Sequence, residues 1–169
     1  MTDEEVLAFE KQHAIALPEE YRTFLLTMER GGAGPYYGLI SPTGSCDDLE
    51  HVSSDFLSLS FPHQEAWNLA EDSILADEHA YFGNNWVQGS MRLCNYGCGA
   101  YCILVVTGQA RGQIWLDYRS GDQGIFPIAN DFLTWYEQWL ERSFTELKKL
   151  QIRQPTFRRR TFDKNGQPI

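Results

Sequence analysis

The apolar positions of this chain change period along its length, and each change predicts an element. Thr2 and Glu5 sit three apart ahead of Val6 and Phe9, the spacing of a capping box opening a short helix that runs to about His13. Pro18 suits the first turn of a second helix. There Tyr21, Phe24, Leu25 and Met28 fall at i, i+3, i+4 and i+7, and Gly31 and Gly32 end it, because glycine accepts the left-handed cap. Residues 34–40 read as a turn into a first strand. From 86 onward the period drops to two. Residues 86–95 and 101–106 predict strands around a turn at Gly97, Cys98 and Gly99, the second almost wholly apolar and so covered on both faces. Residues 113–119 alternate, with Ile114, Leu116 and Tyr118 on one side and Gln113, Asp117 and Arg119 on a wetter one. A turn at 120–124 leads into a short strand at 125–128. The period then returns to 3.6: after a cap at Asn130 or Asp131, Phe132, Trp135, Tyr136, Trp139, Leu140, Phe144 and Leu147 line one face of a long helix, a stripe expected to pack into the core.

Between these regular parts, residues 41–85 mix breakers with the apolar anchors Leu49, Phe56, Leu57, Leu59, Phe61 and Trp67. They predict a partly irregular segment with short helices near Leu49 and Trp67. The connections between the later strands are too short for helical crossovers, so the strands pair antiparallel. The expectation is a single α+β domain over residues 1–150: a mostly antiparallel sheet of about five to six strands, flanked by N-terminal helices and a long C-terminal helix. Residues 151–169, basic and interrupted by Pro155 and Pro168, are expected to form an extended tail.

Composition narrows the class. With 169 residues, 43% hydrophobic and 14% aromatic, the chain can bury a sizeable core without cross-links. No apolar run approaches the roughly 18 residues of a membrane span. The acidic start lacks the apolar region of a secretory signal, so a cytoplasmic location is expected, with thiols as the resting state of the cysteines.

Charge is the most informative bulk property. The net formal charge is −9, but residues 1–141 hold 21 acidic and 6 basic side chains, net −15, whereas residues 142–169 hold 2 and 8, net +6. No Lys or Arg occurs from residue 31 to 91, a stretch carrying Asp47, Asp48, Glu50, Asp55, Glu65, Glu71, Asp72, Asp77 and Glu78. Such a field repels phosphate backbones and attracts basic proteins, so these nine carboxylates are the candidate partner-binding residues and nucleic acid is not an expected partner. Arg158, Arg159 and Arg160 are too few beside the acidic body for a nucleic-acid footprint. They are expected instead to pack on acidic surface, in a monomer or a weak homodimer.

Catalytic and metal readings find little support. Cys94, Cys98 and Cys102 are spaced four apart, with Cys46 as the one distant cysteine. This lacks the second distant pair of a structural zinc site and reads as buried thiols around a hairpin. His63 and His79 lack the i, i+4 spacing of a helical zinc motif. Cys98 between two glycines could serve as a nucleophile with one of His13, His51, His63 or His79, but no spacing favours a pair. Asp117 is expected to bond the neighbouring turn. No cofactor or metal is expected.

The ordered landmarks carry a resemblance. They are Leu17-Pro18 with Tyr21 and Phe24-Leu25; Gly31-Gly32; Gly34-Pro35; Tyr37-Gly38-Leu39; Gly97-Cys98-Gly99; Leu104-Val105-Val106 with Gly108; Gly112-Gln113-Ile114-Trp115 with Asp117; and Phe132, Trp135 and Trp139-Leu140. From about Leu17 to Leu140 the chain resembles the SUKH superfamily, which includes the fungal Smi/Knr cell-wall regulator. Arg30 departs from the Asn often found before the glycines, and the basic tail has no counterpart. The resemblance implies helices on a mostly antiparallel sheet and a non-catalytic protein-binding role. In bacteria that role is an immunity protein neutralising a toxin, often a nuclease; in fungi it is a regulatory hub with a housekeeping partner. A cysteine- or histidine-dependent hydrolase is the weaker alternative.

Overall fold

The start signals of the first two helices act as read, whereas the second ends at Thr27, short of the stop expected at Gly31 and Gly32. In a computed structural model describing residues 1–28, 32–46 and 52–153, α1 spans Asp3–His13. Its capping box closes in both directions, the Thr2 hydroxyl accepting from the Glu5 amide at 3.2 Å and the Glu5 carboxylate from the Thr2 amide at 2.9 Å. Helix α2, Glu19–Thr27, starts after Pro18 and buries Tyr21 and Leu25. Arg22 ties α2 back to Asp3 at 2.6 Å.

The sheet is four antiparallel strands in chain order: β1 Ser90–Gly97, β2 Ala100–Val105, β3 Ile114–Asp117 and β4 Ile125–Ala129. This α+β architecture is the expected one with fewer strands than the five to six anticipated. The missing strand is the one placed at 34–40. Leu39 makes a single bridge to Cys94, and the Ile40 amide donates to the Leu93 carbonyl at 2.7 Å. Pro42, which has no amide to donate, then turns the chain into a 3-10 segment, Pro42–Gly44. The ladder therefore stops after one rung. Strand β2 is buried along nearly its whole length, as its unbroken apolar run requires.

Two further differences arise where distant segments meet. Trp67 lies in extended backbone, exchanging both hydrogen bonds with Ile125 at 2.8 Å; the helices of this region are α3, Glu71–Ala76, and α4, Glu78–Tyr81. The expected helix near Leu49 lies outside the described residues. The side of β3 read as wetter is covered: Trp115 is fully buried and Arg119 is 5% exposed, because residues 61–86 fold across it.

Helix α5, Phe132–Arg153, starts after Asp131, whose carboxylate accepts from the Thr134 amide at 2.6 Å, and it runs past the expected tail boundary at 150. The tail from 154 onward lies outside the described residues. The chain divides into two units, Met1–Trp139 and Leu140–Ile169. In the first, Phe132, Trp135 and Tyr136 are buried; the Phe132 ring meets those of Tyr21 and Phe24 at 4.9 Å between centroids, Tyr136 meets Phe24 at 5.0 Å, and Trp135 packs on Phe132 at 5.9 Å. In the second, Phe144, Leu147 and Leu150 are all more than half exposed. The expected core stripe is thus buried only over its first turns. Among the described residues no helix is long and apolar enough to cross a membrane.

Candidate protein-binding face

The described part of the acidic stretch, residues 52–78, runs through turns and into the two short helices α3 and α4, and it is fastened at several points to the sheet. The Phe61 amide donates to the Thr107 carbonyl at 2.9 Å, and the Thr107 hydroxyl donates to the Leu57 carbonyl at 2.8 Å. The Trp67–Ile125 bridge holds its middle. Gly124, at φ +75°, permits that bridge: a Cβ there would run into the Trp67 carbonyl oxygen.

The strongest fastening is Arg119. Its guanidinium donates to both carboxylate oxygens of Asp117, at 2.8 and 2.7 Å, and to the backbone carbonyls of Tyr81 and Gly83, at 2.9 and 3.0 Å. A buried cation is tolerable when paired and hydrogen-bonded in this way. Beside it sits an aromatic stack. Trp67 lies on Trp86 at 4.2 Å between centroids, with the His63 ring 5.1 Å from Trp67 and 6.2 Å from Trp115. His63 Nε2 lies 2.9 Å from the Trp86 carbonyl. A carbonyl only accepts, so Nε2 carries the proton. Burial, reinforced by the charge of Arg119, pushes the His63 pKa below its ordinary value, which keeps the ring neutral.

On this frame the described acids face water. Asp55, Glu65, Glu71, Asp72, Asp77 and Glu78 are all exposed; Asp47, Asp48 and Glu50 lie outside the described residues. Asp77 also caps α4, accepting from the Ala80 amide at 2.9 Å. Glu65 lines an open hollow of about 620 Å³ with Pro62, His63, Gln64, Ala66 and Trp67. Glu71 lines another, of about 440 Å³, with Asn68, Leu69, Ile74, Leu75 and Asp122. Asp122 escaped the sequence reading because it lies outside the acidic run. Its position in a Gly-rich turn, where a left-handed residue is common, was the signal available, and its φ is +58°.

The structural landmarks sit where hairpin and core need them. Pro18 is buried at the start of α2. Gly32, at φ +116°, bridges Leu39, while Gly31 lies outside the described residues. Gly97, Cys98 and Gly99 all take positive φ at the β1–β2 turn, and the Cys98 thiol is exposed rather than buried as expected, because the tip of the turn stands clear of the core. Trp115 and Trp135 are buried, Trp139 partly so. Because the turn centres on Cys98, the register sets Cys94 opposite Cys102. Both thiols are buried. A hydrogen bond with Cys94, together with burial, pushes the Cys102 thiol pKa far up. The four-residue spacing therefore separates Cys98 from the other two. Among the described residues no three His, Cys, Asp or Glu side chains gather as metal ligands would.

The SMI1 / KNR4 family (SUKH-1) model matches residues 1–138. No curated protein and no solved structure matches the chain significantly.

Proposed function

Starting from the fact that this chain belongs to the SMI1 / KNR4 family (SUKH-1), a family of protein-interaction domains, we propose that it captures a basic protein and blocks it, as an immunity protein blocks a toxin. One observation carries the reading. The described part of the acidic stretch exposes six carboxylates, five of them in the segment across β3, and the sequence has no Lys or Arg from residue 31 to 91 among them.

A nuclease toxin is the partner class that fits best. Its active groove must be cationic to hold a phosphate backbone, and a rigid negative surface can occupy that groove in the substrate's place. Charge of this kind acts chiefly on encounter rate and partner choice. The fastenings through Arg119, Trp67 and Phe61 matter because a face already held in place loses little freedom on docking.

The test begins with affinity capture from the native cell, followed by assay of the recovered partner's activity with and without this chain. The reading expects a basic protein whose activity falls on stoichiometric addition. Reversing Glu71, Asp72 and Glu78 together to Lys should abolish both capture and inhibition. Recovery of a neutral or acidic partner, or full inhibition by the charge-reversed variant, would overturn it. A basic partner that binds with its activity unchanged would point instead to a regulatory domain.

A further inference from the structure

Exposed carboxylates on this protein fall into two kinds. Some hold the fold: Asp3 pairs with Arg22, Asp131 caps α5 and Asp77 caps α4. Glu71 and Asp122 do neither. Among the described residues neither side chain makes a hydrogen bond or an ion pair, yet both line the same 440 Å³ groove. They come from separate elements, Glu71 from α3 and Asp122 from the turn after Arg119–Gly121. The apolar lining is Leu69, Ile74 and Leu75. Ile74 is buried, whereas Leu75 is 77% exposed. The lining holds no basic side chain.

The groove is held in shape. Asn68 Nδ2 donates to the Asp122 carbonyl at 2.7 Å, and its Oδ1 accepts from the Tyr81 hydroxyl at 2.6 Å and from the Leu69 amide at 2.9 Å. One side chain thus links the Asp122 turn, α4 and the chain entering α3. Asp122 takes a left-handed conformation that Asp and Asn adopt at low cost.

We propose that this groove docks an arginine-bearing segment of the basic partner. Arginine combines an apolar stem with a charged head. Its stem would lie along Leu69 and Leu75, and its guanidinium would meet Glu71 and Asp122. Charge complementarity selects this occupant: an aliphatic segment would leave two carboxylates unpaired, and an acidic one would be repelled. The assignment rests on the capture function proposed above and locates its contact.

The full-length protein is titrated with a short fluorescein-labelled peptide alternating arginine and leucine, read by fluorescence anisotropy. Peptides with serine for leucine, and with glutamate for arginine, serve as comparisons. Leu75→Ser, Glu71→Gln and Asp122→Asn should each weaken the arginine–leucine peptide by about fivefold, the scale of one exposed ion pair or apolar contact. Glu20→Gln, an equal charge change on α2, should leave it unchanged. Asparagine keeps the left-handed turn, and unchanged melting curves confirm the fold of every variant. The same variants should weaken the captured natural partner. Equal loss in Glu20→Gln with none in Leu75→Ser would reduce the effect to diffuse charge and overturn the slot. A concentration-dependent dimer in sedimentation that Leu75→Ser dissolves would place a second copy there and also overturn it. If the natural partner binds all three groove variants at wild-type strength, the slot fails while the capture function stands. If the captured partner is not basic, that function fails whatever the peptide shows.

Discussion

His63 is the residue whose surroundings make the sharpest statement about solution behaviour. Its ring is 6% exposed, stacked among Trp67, Trp86 and Trp115, and bonded to the Trp86 carbonyl. Its folded pKa lies below 6.5, the ordinary value. The unfolded chain therefore takes up this proton at a higher pH than the folded one, and stability falls as pH drops through 6.5 toward the folded pKa. His13, with its pKa also lowered by burial, acts in the same direction. Thermal melts should show the melting temperature declining between pH 7 and pH 5. His63→Gln should flatten part of that slope, with the His13 share remaining. A slope identical in the variant would mean that the ring is accessible to protons in the folded state.

Among the elements, the connection between β3 and the segment at 61–86 decides whether the acidic face exists as a surface. Arg119 and Asp117 make it, with side chains 6% and 13% exposed. Asp117→Asn removes the only carboxylate paired with this cation among the described residues and leaves it buried. Breaking one partner of a buried pair costs about 3–5 kcal/mol. Urea unfolding should show a loss of that order, while Glu78→Gln, an exposed charge on α4, should stay within about 0.5 kcal/mol of the parent. Hydrogen exchange should rise first at the Tyr81 and Phe82 amides, which flank the helix end whose Tyr81 and Gly83 carbonyls the guanidinium holds. Equal losses in both variants would show that the pair does not hold the segment.

For the whole molecule, the uneven charge makes an ionic-strength prediction. The charges of the acidic body and the basic C-terminal stretch, −15 over 1–141 and +6 over 142–169, are screened beyond about 10 Å at 0.1 M salt. If the acidic face steers a basic partner, its association rate should fall by about tenfold or more between low and physiological salt, with the dissociation rate changing far less. Stopped-flow mixing measures both. A salt-independent association rate would leave apolar contact as the whole of recognition.

What was legible in the sequence was what neighbouring residues decide among themselves. The capping box of Thr2 and Glu5, a cap at Asn130 or Asp131, the turn at Gly97–Gly99 and the buried run of β2 each follow from backbone donors, φ preference or side-chain period within a few positions. The α+β class followed from their order. What only the tertiary structure decided is which segment covers which face. Gln113, Asp117 and Arg119 alternate as a solvated side does, and nothing local says that Arg119 will be capped by carbonyls of Tyr81 and Gly83, 38 and 36 positions away. The groove joins Asn68 to Asp122 across 54 positions, so the acid outside the acidic run could not be grouped with the rest. Local propensity is written into each stretch of chain; pairing across the fold depends on the summed burial of distant segments, which no single stretch records.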